Sequence, residues 1–460
     1  MRNHPVNIVG AGQCGTLLAF LLARNGFVVN LYERQVDPRV DDTQAGRSIN
    51  LALAARGINA LQHAGIYSAV EPLLVPMRGR LLHHLDGASE FLRYGQHSDE
   101  QIYSVTRIGL NKALLDAAGA QDNVTMRFRQ EAIGYDAQGR SVLMHDLDDD
   151  SQYEIDTRPL ISAEGARSVV RRSVDGGNIF AGVVTPLQHG YKELTVPPGP
   201  GGKFQLDPNA LHIWPRGGFM LIALPNPGGD FTLTLFLPNE SDVSFDMLVD
   251  KKSVEDFFGQ YFADVAALIP NLASDFISRP LGSLATVRCR HWHHHGQVLL
   301  IGDAAHAIVP FHGQGMNLAF EDCVYLDHVI RNHGSNWGDV FSRFEAGQLG
   351  NANAIADMAL DNYVEMRDTV RDPKFALRNA LAFELERSVP EHFIPRYSMV
   401  MFHADIPYQV ARQRGEVQQA LLEKFTRGAS KLVDIDIDAA AAAALDQLPP
   451  IDTVRFDRRS

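Results

Sequence analysis

Residues 6–15 read Val6-Asn7-Ile8-Val9-Gly10-Ala11-Gly12-Gln13-Cys14-Gly15, and this stretch decides the fold. Val6 to Val9 is a short β-branched run that predicts a strand. It passes directly into a Gly-x-Gly-x-x-Gly turn, and the apolar run Leu17–Ala23 behind the turn predicts a buried helix reaching Gly26. Phe27 to Tyr32 predicts a second strand, with Glu33 at its end. Gly10 permits the tight turn, Gly12 lets backbone approach a pyrophosphate, and Gly15 lets helix and sheet close on each other. The start of the helix offers unpaired N–H groups to phosphate oxygens. Glu33, roughly 20 positions past the turn, is placed to accept hydrogen bonds from a ribose diol. An isolated glycine pattern says little, but strand, turn, helix, strand and acid in this order predict a dinucleotide-binding βαβ unit.

Composition limits what surrounds this unit. A chain of 460 residues is too long for one compact core, so two or three parts are expected. Hydrophobic residues make up 45% and charged residues 21%, as in ordinary folded proteins. The net charge of −13, from 42 basic and 55 acidic residues, argues against nucleic-acid or anionic-membrane partners. Three cysteines, Cys14, Cys289 and Cys323, make no disulfide framework, and a reducing cytoplasm is expected. Leu17–Ala23 has the apolarity of a signal peptide but neither a basic lead-in nor a cleavage site. No run reaches the ~18 apolar residues of a membrane span.

The glycine turn alone does not separate NAD from FAD. Two further segments favour a flavin. Val298-Leu299-Leu300-Ile301-Gly302-Asp303-Ala304-Ala305-His306 is an apolar strand ending in Gly-Asp, whose acid can bind a polyol such as ribitol. Val309-Pro310-Phe311-His312-Gly313-Gln314-Gly315-Met316-Asn317 follows and opens a helix whose positive end can stabilise charge on a reduced flavin. This strand-turn-helix arrangement resembles the second flavin motif of class A aromatic hydroxylases. In that class an arginine at the position of Arg107 reaches the cofactor. Where the class has a Gly-Ala-Asp-Gly pattern, this chain has Ala163-Glu164-Gly165, with Glu164 replacing the aspartate.

Longer stretches narrow the resemblance. They are Gly46-Arg47-Ser48-Ile49-Asn50-Leu51-Ala52-Leu53, Met77-Arg78-Gly79-Arg80, His189–Glu193, Pro208–Pro215, Met358–Met366 and Phe393–Val400. Together they resemble the kynurenine 3-monooxygenase family from about Val6 to Ala411. The resemblance implies an α/β fold: a Rossmann-type FAD-binding domain (1–75, 100–178, 282–345) interleaved with a mainly antiparallel substrate domain (76–99, 179–281), and a helical region 346–460 capping the pocket. It implies that FAD is held by Gly10, Gly12, Gln13, Gly15, Glu33, Arg34, Ala52, Arg107, Glu164, Asp303, Met316 and Asn317. Arg80 and Tyr94, completed by Asn362 and Tyr397, would hold the α-carboxylate of L-kynurenine. A carboxylate entering an apolar pocket needs a charged partner, and arginine offers a planar two-point match. Without the resemblance, Arg78 and Arg80 are equally available.

Apolar runs at 211–214, 219–224 and 231–237 predict an antiparallel sheet. Alternation puts Met220, Ile222 and Leu224 on one face, and Thr232, Thr234 and Phe236 together on the next strand. By resemblance Leu211, Met220, Ile222, Leu224 and Phe236 line the ring pocket, with Pro310, Phe311 and His312 near the flavin. His291-Trp292-His293-His294-His295 suggests a metal, but neighbouring residues point apart and no Cys or carboxylate shares a ligand spacing, so a polar turn is expected and no metal.

The resemblance implies hydroxylation of L-kynurenine to 3-hydroxy-L-kynurenine with NADPH and O2 through a C4a-hydroperoxyflavin. The substrate's own ring amine activates the attacking carbon, so no catalytic acid or base is named. There is no second glycine fingerprint for NADPH, which fits transient docking. Eukaryotic members carry a C-terminal membrane anchor; this tail has no apolar span, so a soluble enzyme is expected. The alternatives are a class A hydroxylase of another aryl amino acid or anthranilate-like substrate, a non-oxygenating flavin reductase, and a non-catalytic flavoprotein.

Overall fold

A computed structural model describes residues 4–41, 50–138, 140–173, 179–367 and 373–451. Gly46-Arg47-Ser48-Ile49 of the family stretch lie outside the described residues. The chain divides into two units. The first comprises Met1–Leu74, Val105–Leu187 and Ala285–Ala356, and the second Val75–Ser104, Gln188–Leu284 and Asp357–Ser460. Residues 357–460, with the C-terminal helices, therefore group with residues 75–104 and 188–284.

The first unit is built on a six-stranded sheet in the order His293–His294, Val298–Leu300, Leu160–Ser162, Val6–Val9, Val29–Tyr32, Val124–Arg127. All pairings are parallel except the edge pair formed by His293–His294. Val6–Val9 is buried along its whole length, which is why it reads as a continuous apolar run rather than an alternating one. Its one polar side chain is satisfied: Asn7 Nδ2 donates to Asp156 O at 2.8 Å and Asn7 Oδ1 accepts from Asn30 Nδ2 at 2.9 Å. The helix Gln13–Arg24 buries Gly15 through Ala23, packing against the helices Arg107–Gly119 and Gly315–His333. The sequence's helix-after-turn reading is thus realised, and the LLAFLLA run is core.

A mainly antiparallel seven-stranded sheet, most of whose residues belong to the second unit, is ordered Gly282–Cys289, Gly182–Val196, Phe231–Pro238, Met220–Pro225, Ala210–Pro215, Gly79–His83, Ser89–Arg93. Register fixes its two faces. Met220 pairs with Phe236, Ile222 with Thr234 and Leu224 with Thr232, while Leu211 pairs with Arg80 on the parallel neighbour. Directly paired residues share a face. The alternate residues Trp214, Leu221, Ala223, Leu233, Leu235 and Leu237 face the other way, into a core closed by Phe257, Phe258 and Phe276 of two helices. Period-two alternation therefore leaves Arg80, Leu211, Met220, Ile222, Leu224 and Phe236 on the face opposite that core.

The C-terminal helices Pro373–Ser388, Tyr408–Thr426 and Ile437–Gln447 make a further apolar cluster around Leu381, Leu385, Leu421 and Ala440. The last of these is alanine-rich and is capped by Asp436, which accepts from Ala439 N at 2.9 Å. Among the described residues no helix is long and apolar enough to cross a membrane.

Candidate cofactor and substrate sites

The glycine turn of the first unit has the geometry its sequence predicts. Gly10 has φ +103°, and a Cβ there would sit 2.4 Å from Ala163 O. A Cβ on Gly15 would lie 1.9 Å from Gly10 O, so helix and turn close only because both residues are glycine. Gly12 differs: a Cβ there meets nothing within 4 Å. The turn is open in front of the helix, whose start has no side-chain cap and no acid in its first turn. Its N–H groups are available to an anion. Glu33 is locked beside this opening, with Oε2 accepting from Ala11 N at 2.8 Å and Oε1 from Gln35 N at 2.9 Å. A carboxylate retains lone pairs for ribose hydroxyls after accepting two N–H groups. The residues present therefore fit the adenosine and pyrophosphate half of FAD.

Gln13 Nε2 donates to Arg107 O at 3.1 Å, tying the turn to the helix Arg107–Gly119. Arg107 itself is exposed at that helix start, as is Arg34, which lies 3.9 Å from Glu131. Asn111 was missed in the sequence. Its Nδ2 donates to Ala11 O at 3.3 Å, and its buried Oδ1 has no partner among the described residues.

Asp303 is exposed at the end of the strand Val298–Leu300, as a polyol ligand would be. The turn it sits on is held from behind. Asp322, fully buried, accepts from Gly302 N at 3.3 Å, and His306 Nε2 lies 2.7 Å from the same carboxylate oxygen. Burial opposes charge on His306, but the Asp322 carboxylate outweighs it and raises the imidazole above its ordinary pKa. The helix Gly315–His333 begins without a side-chain cap and without acid in its first turn. Met316 is half-buried there. Asn317 is a staple. Its Oδ1 accepts from Ala54 N at 2.9 Å and Gly57 N at 3.2 Å, and its Nδ2 donates to Ala52 O at 2.9 Å and Gly313 O at 2.8 Å. Its side chain holds the Ala52 segment to the glycine turn rather than reaching outward. Phe311 and His312 are buried in the short turn Pro310–His312.

Glu164 is likewise engaged within its own segment. Ser162 Oγ and Ser168 Oγ donate to Oε2 at 2.7 Å each, Val170 N donates to the same oxygen at 3.2 Å, and Val169 N donates to Oε1 at 2.9 Å. The longer acid thus bridges the strand Leu160–Ser162 to the start of the helix Val169–Ser173.

In the second unit the four residues assigned to the carboxylate fall in one neighbourhood. Arg80 is 7% exposed, whereas Arg78 is exposed, so burial separates the two arginines that the sequence left even. The Arg80 guanidinium lies 4.7 Å from the Tyr397 ring centroid and 5.9 Å from that of Tyr94, and the two rings stack at 5.4 Å. Arg80 Nη1 donates to Glu365 Oε1 at 3.2 Å. Burial works against the Arg80 charge, but Tyr397, Glu365 and Tyr94 outweigh it and hold its pKa above the usual value. Burial pushes both tyrosine hydroxyls up, so they remain neutral donors. Arg80 Nε and the Tyr94 hydroxyl are buried without hydrogen-bond partners of ordinary geometry among the described residues. Asn362, buried, lies one turn before Glu365 on the same side of the helix Trp337–Arg367. Glu365 and its second partner Arg396 were not foreseen.

Among the described residues no group of three or more His, Cys, Asp or Glu side chains is arranged to hold a metal ion. His294 Nδ1 meets the Tyr135 hydroxyl at 2.9 Å, and His291 and His293 flank Glu345.

A family model described as an FAD binding domain matches residues 3–185 and 270–339. The chain is 46% identical over 452 residues to a kynurenine 3-monooxygenase of Stenotrophomonas maltophilia, covering 98% of each. It is 43% identical over 449 residues to one of Myxococcus xanthus, covering 98% of this chain and 96% of the relative. Among solved structures, 2-methyl-3-hydroxypyridine-5-carboxylic acid oxygenase superposes with a TM-score of 0.64 at 19% identity, covering 80% of this chain and 94% of that one. PqsL of Pseudomonas aeruginosa gives 0.62 at 21% identity, covering 79% and 96%. At these identities the structural likeness establishes the fold.

Proposed function

Because the chain belongs to the kynurenine 3-monooxygenase family and carries an FAD binding domain, we propose that it catalyses L-kynurenine + NADPH + O2 + H+ → 3-hydroxy-L-kynurenine + NADP+ + H2O. The observation that carries the substrate assignment is Arg80: a buried guanidinium beside two stacked tyrosine rings, with Nε lacking a partner of ordinary geometry among the described residues. Buried donors without acceptors are costly, and an incoming carboxylate relieves them.

Bound FAD, once reduced by NADPH, supplies the oxygen-activating chemistry. The protein's residues do the rest. Gly10, Gly12, Gly15 and Glu33 hold the adenosine half, Asp303 the polyol, and the start of the helix Gly315–His333 the isoalloxazine edge. Asn317, Glu164 and the His306–Asp322 pair keep the surrounding segments in register. Arg80, Tyr94, Asn362 and Tyr397 anchor the α-carboxylate and thereby orient the substrate's ring. In the second unit Leu211, Met220, Ile222, Leu224 and Phe236 provide apolar surface that keeps water from the reacting ring, and in the first unit Pro310, Phe311 and His312 are assigned to the surroundings of the flavin. The aromatic amine of kynurenine donates electrons to its own ring, so the hydroxylated carbon needs no protein base. The free thiols Cys14, Cys289 and Cys323 support a reducing, cytoplasmic compartment.

The test is incubation of the purified protein with FAD, NADPH, air and L-kynurenine. A kynurenine product heavier by one oxygen atom is expected. NADPH consumption with only peroxide formed would overturn the substrate assignment and leave the flavin assignment standing.

A further inference from the structure

Arg80 does not stand alone as a charge. It is one end of a chain of ion pairs within the second unit. Glu365 Oε1 lies 3.2 Å from Arg80 Nη1, Glu365 Oε2 lies 3.9 Å from Arg396 Nη2, and Arg396 Nη1 lies 3.8 Å from Asp361 Oδ2. Asp361 and Glu365 are one helical turn apart, so one helix presents both acids to Arg396. Gly415 makes room for that arginine: a Cβ at 415 would lie 2.3 Å from Arg396 Cδ. The chain holds two positive and two negative groups and is balanced before any ligand arrives.

A substrate carboxylate on Arg80 upsets this balance. Glu365 occupies Nη1, leaving the buried Nε as an open position. A second carboxylate there would share one guanidinium with Glu365, and like charges brought together in a partly buried site repel. An α-amino acid carries its own remedy. Its ammonium nitrogen is about 2.5 Å from its carboxylate carbon, by the N–Cα and Cα–C bond lengths and their angle. A ligand whose carboxylate sits on one edge of Arg80 therefore holds its ammonium within reach of the acid on the other edge.

Resting on the reading of Arg80 given above, we propose that Glu365 accepts the substrate's α-ammonium group and so restricts the site to zwitterionic amino acids. Glu365 is then a specificity-determining residue. It neutralises Arg80 when the site has no ligand and turns to the ammonium when the substrate is bound. Its side chain is 25% exposed, which leaves it room to do so. The tyrosines and Asn362 are neutral, so among these residues Glu365 is the one that offers the ammonium an opposite charge.

The experiment compares L-kynurenine with 4-(2-aminophenyl)-4-oxobutanoate, which lacks only the α-amino group. Affinities are read from the absorbance change of bound FAD in the full-length holoprotein, without NADPH. The unaltered protein is expected to prefer kynurenine by about tenfold to a hundredfold, the range of a charged hydrogen bond. Glu365→Gln keeps the shape and a contact to Arg80, and is expected to bring the two affinities within about threefold, chiefly by weakening kynurenine. Equal affinities in the unaltered protein would overturn the proposal without needing any variant. So would a Glu365→Gln protein that keeps the preference, or one that loses both ligands equally. If the unaltered protein binds neither ligand, the carboxylate reading of Arg80 itself fails, and that outcome is distinct from a loss of discrimination.

Discussion

Replacing Arg80 with alanine should weaken kynurenine binding and leave FAD in place. The magnitude follows from the environment of the guanidinium. It is 7% exposed, it lies against the faces of Tyr94 and Tyr397, and its Nε has no partner among the described residues. Removing one partner of a buried, hydrogen-bonded charge pair costs about 2–5 kcal/mol, much of it because the other charge is left uncompensated. That corresponds to a roughly 30-fold to few-thousand-fold rise in Kd. Two effects place this variant in the lower half of that range. Glu365 retains Arg396 at 3.9 Å, so the empty site is not left with an isolated acid. Tyr94 and Asn362 still offer hydrogen-bond donors to the carboxylate. Arg80→Lys should fall between, since lysine keeps the charge and loses the planar two-point contact. The assay is titration of flavin absorbance with L-kynurenine, alongside FAD content measured after purification. The residues assigned to FAD lie in the first unit and Arg80 in the second, so flavin content should match the unaltered protein. A Kd within threefold of the original, with FAD retained, would refute the assignment of Arg80 to the carboxylate.

Glu33→Ala should weaken FAD retention about tenfold to a hundredfold, since a carboxylate locked by Ala11 N and Gln35 N no longer meets the ribose; full flavin occupancy after dilution and gel filtration would remove it from the site. Glu164→Ala should act on stability, lowering unfolding free energy by about 2–3 kcal/mol because four donors lose one acceptor. Urea unfolding of the apoprotein checks this, and an unchanged midpoint with lost FAD would make Glu164 a ligand instead. His306 has a folded pKa raised above 6.5 because Asp322 outweighs its burial. Its pairing with Asp322 therefore contributes fully below pH 6.5 and is lost as pH rises through the folded value. His306→Asn should flatten the decline of unfolding free energy over that interval, and an identical slope in the variant would show that another group is responsible.

Much of this was legible from the sequence because the signals are local. Gly10, Gly12 and Gly15 are set by backbone geometry within a few residues. Met220, Ile222 and Leu224 share a face by strand alternation, and the register with Thr234 and Phe236 follows. What the sequence hid is contact across long separations. Glu365 meets Arg80 across 285 residues, and no pattern near either position announces it; the one available clue was its place one turn after Asn362. Asn111 reaches Ala11 across 100 residues in the same way. Asn317 and Glu164 illustrate a different difficulty. A motif marks them as belonging to the cofactor region, but only the hydrogen-bond partners reveal that their side chains hold neighbouring segments together. The alternate fates of Arg78 and Arg80 needed burial, which two arginines two positions apart on a strand end do not disclose.

The defining step of the proposed reaction is the transfer of an oxygen atom from O2 to the ring of kynurenine. The most direct measurement is turnover of L-kynurenine with NADPH under O2 labelled with the heavy oxygen isotope, with the product isolated and weighed by mass spectrometry. The expected product is 3-hydroxykynurenine carrying one labelled oxygen atom, formed in step with NADPH consumed. Unlabelled product, or labelled peroxide with kynurenine recovered intact, would contradict it.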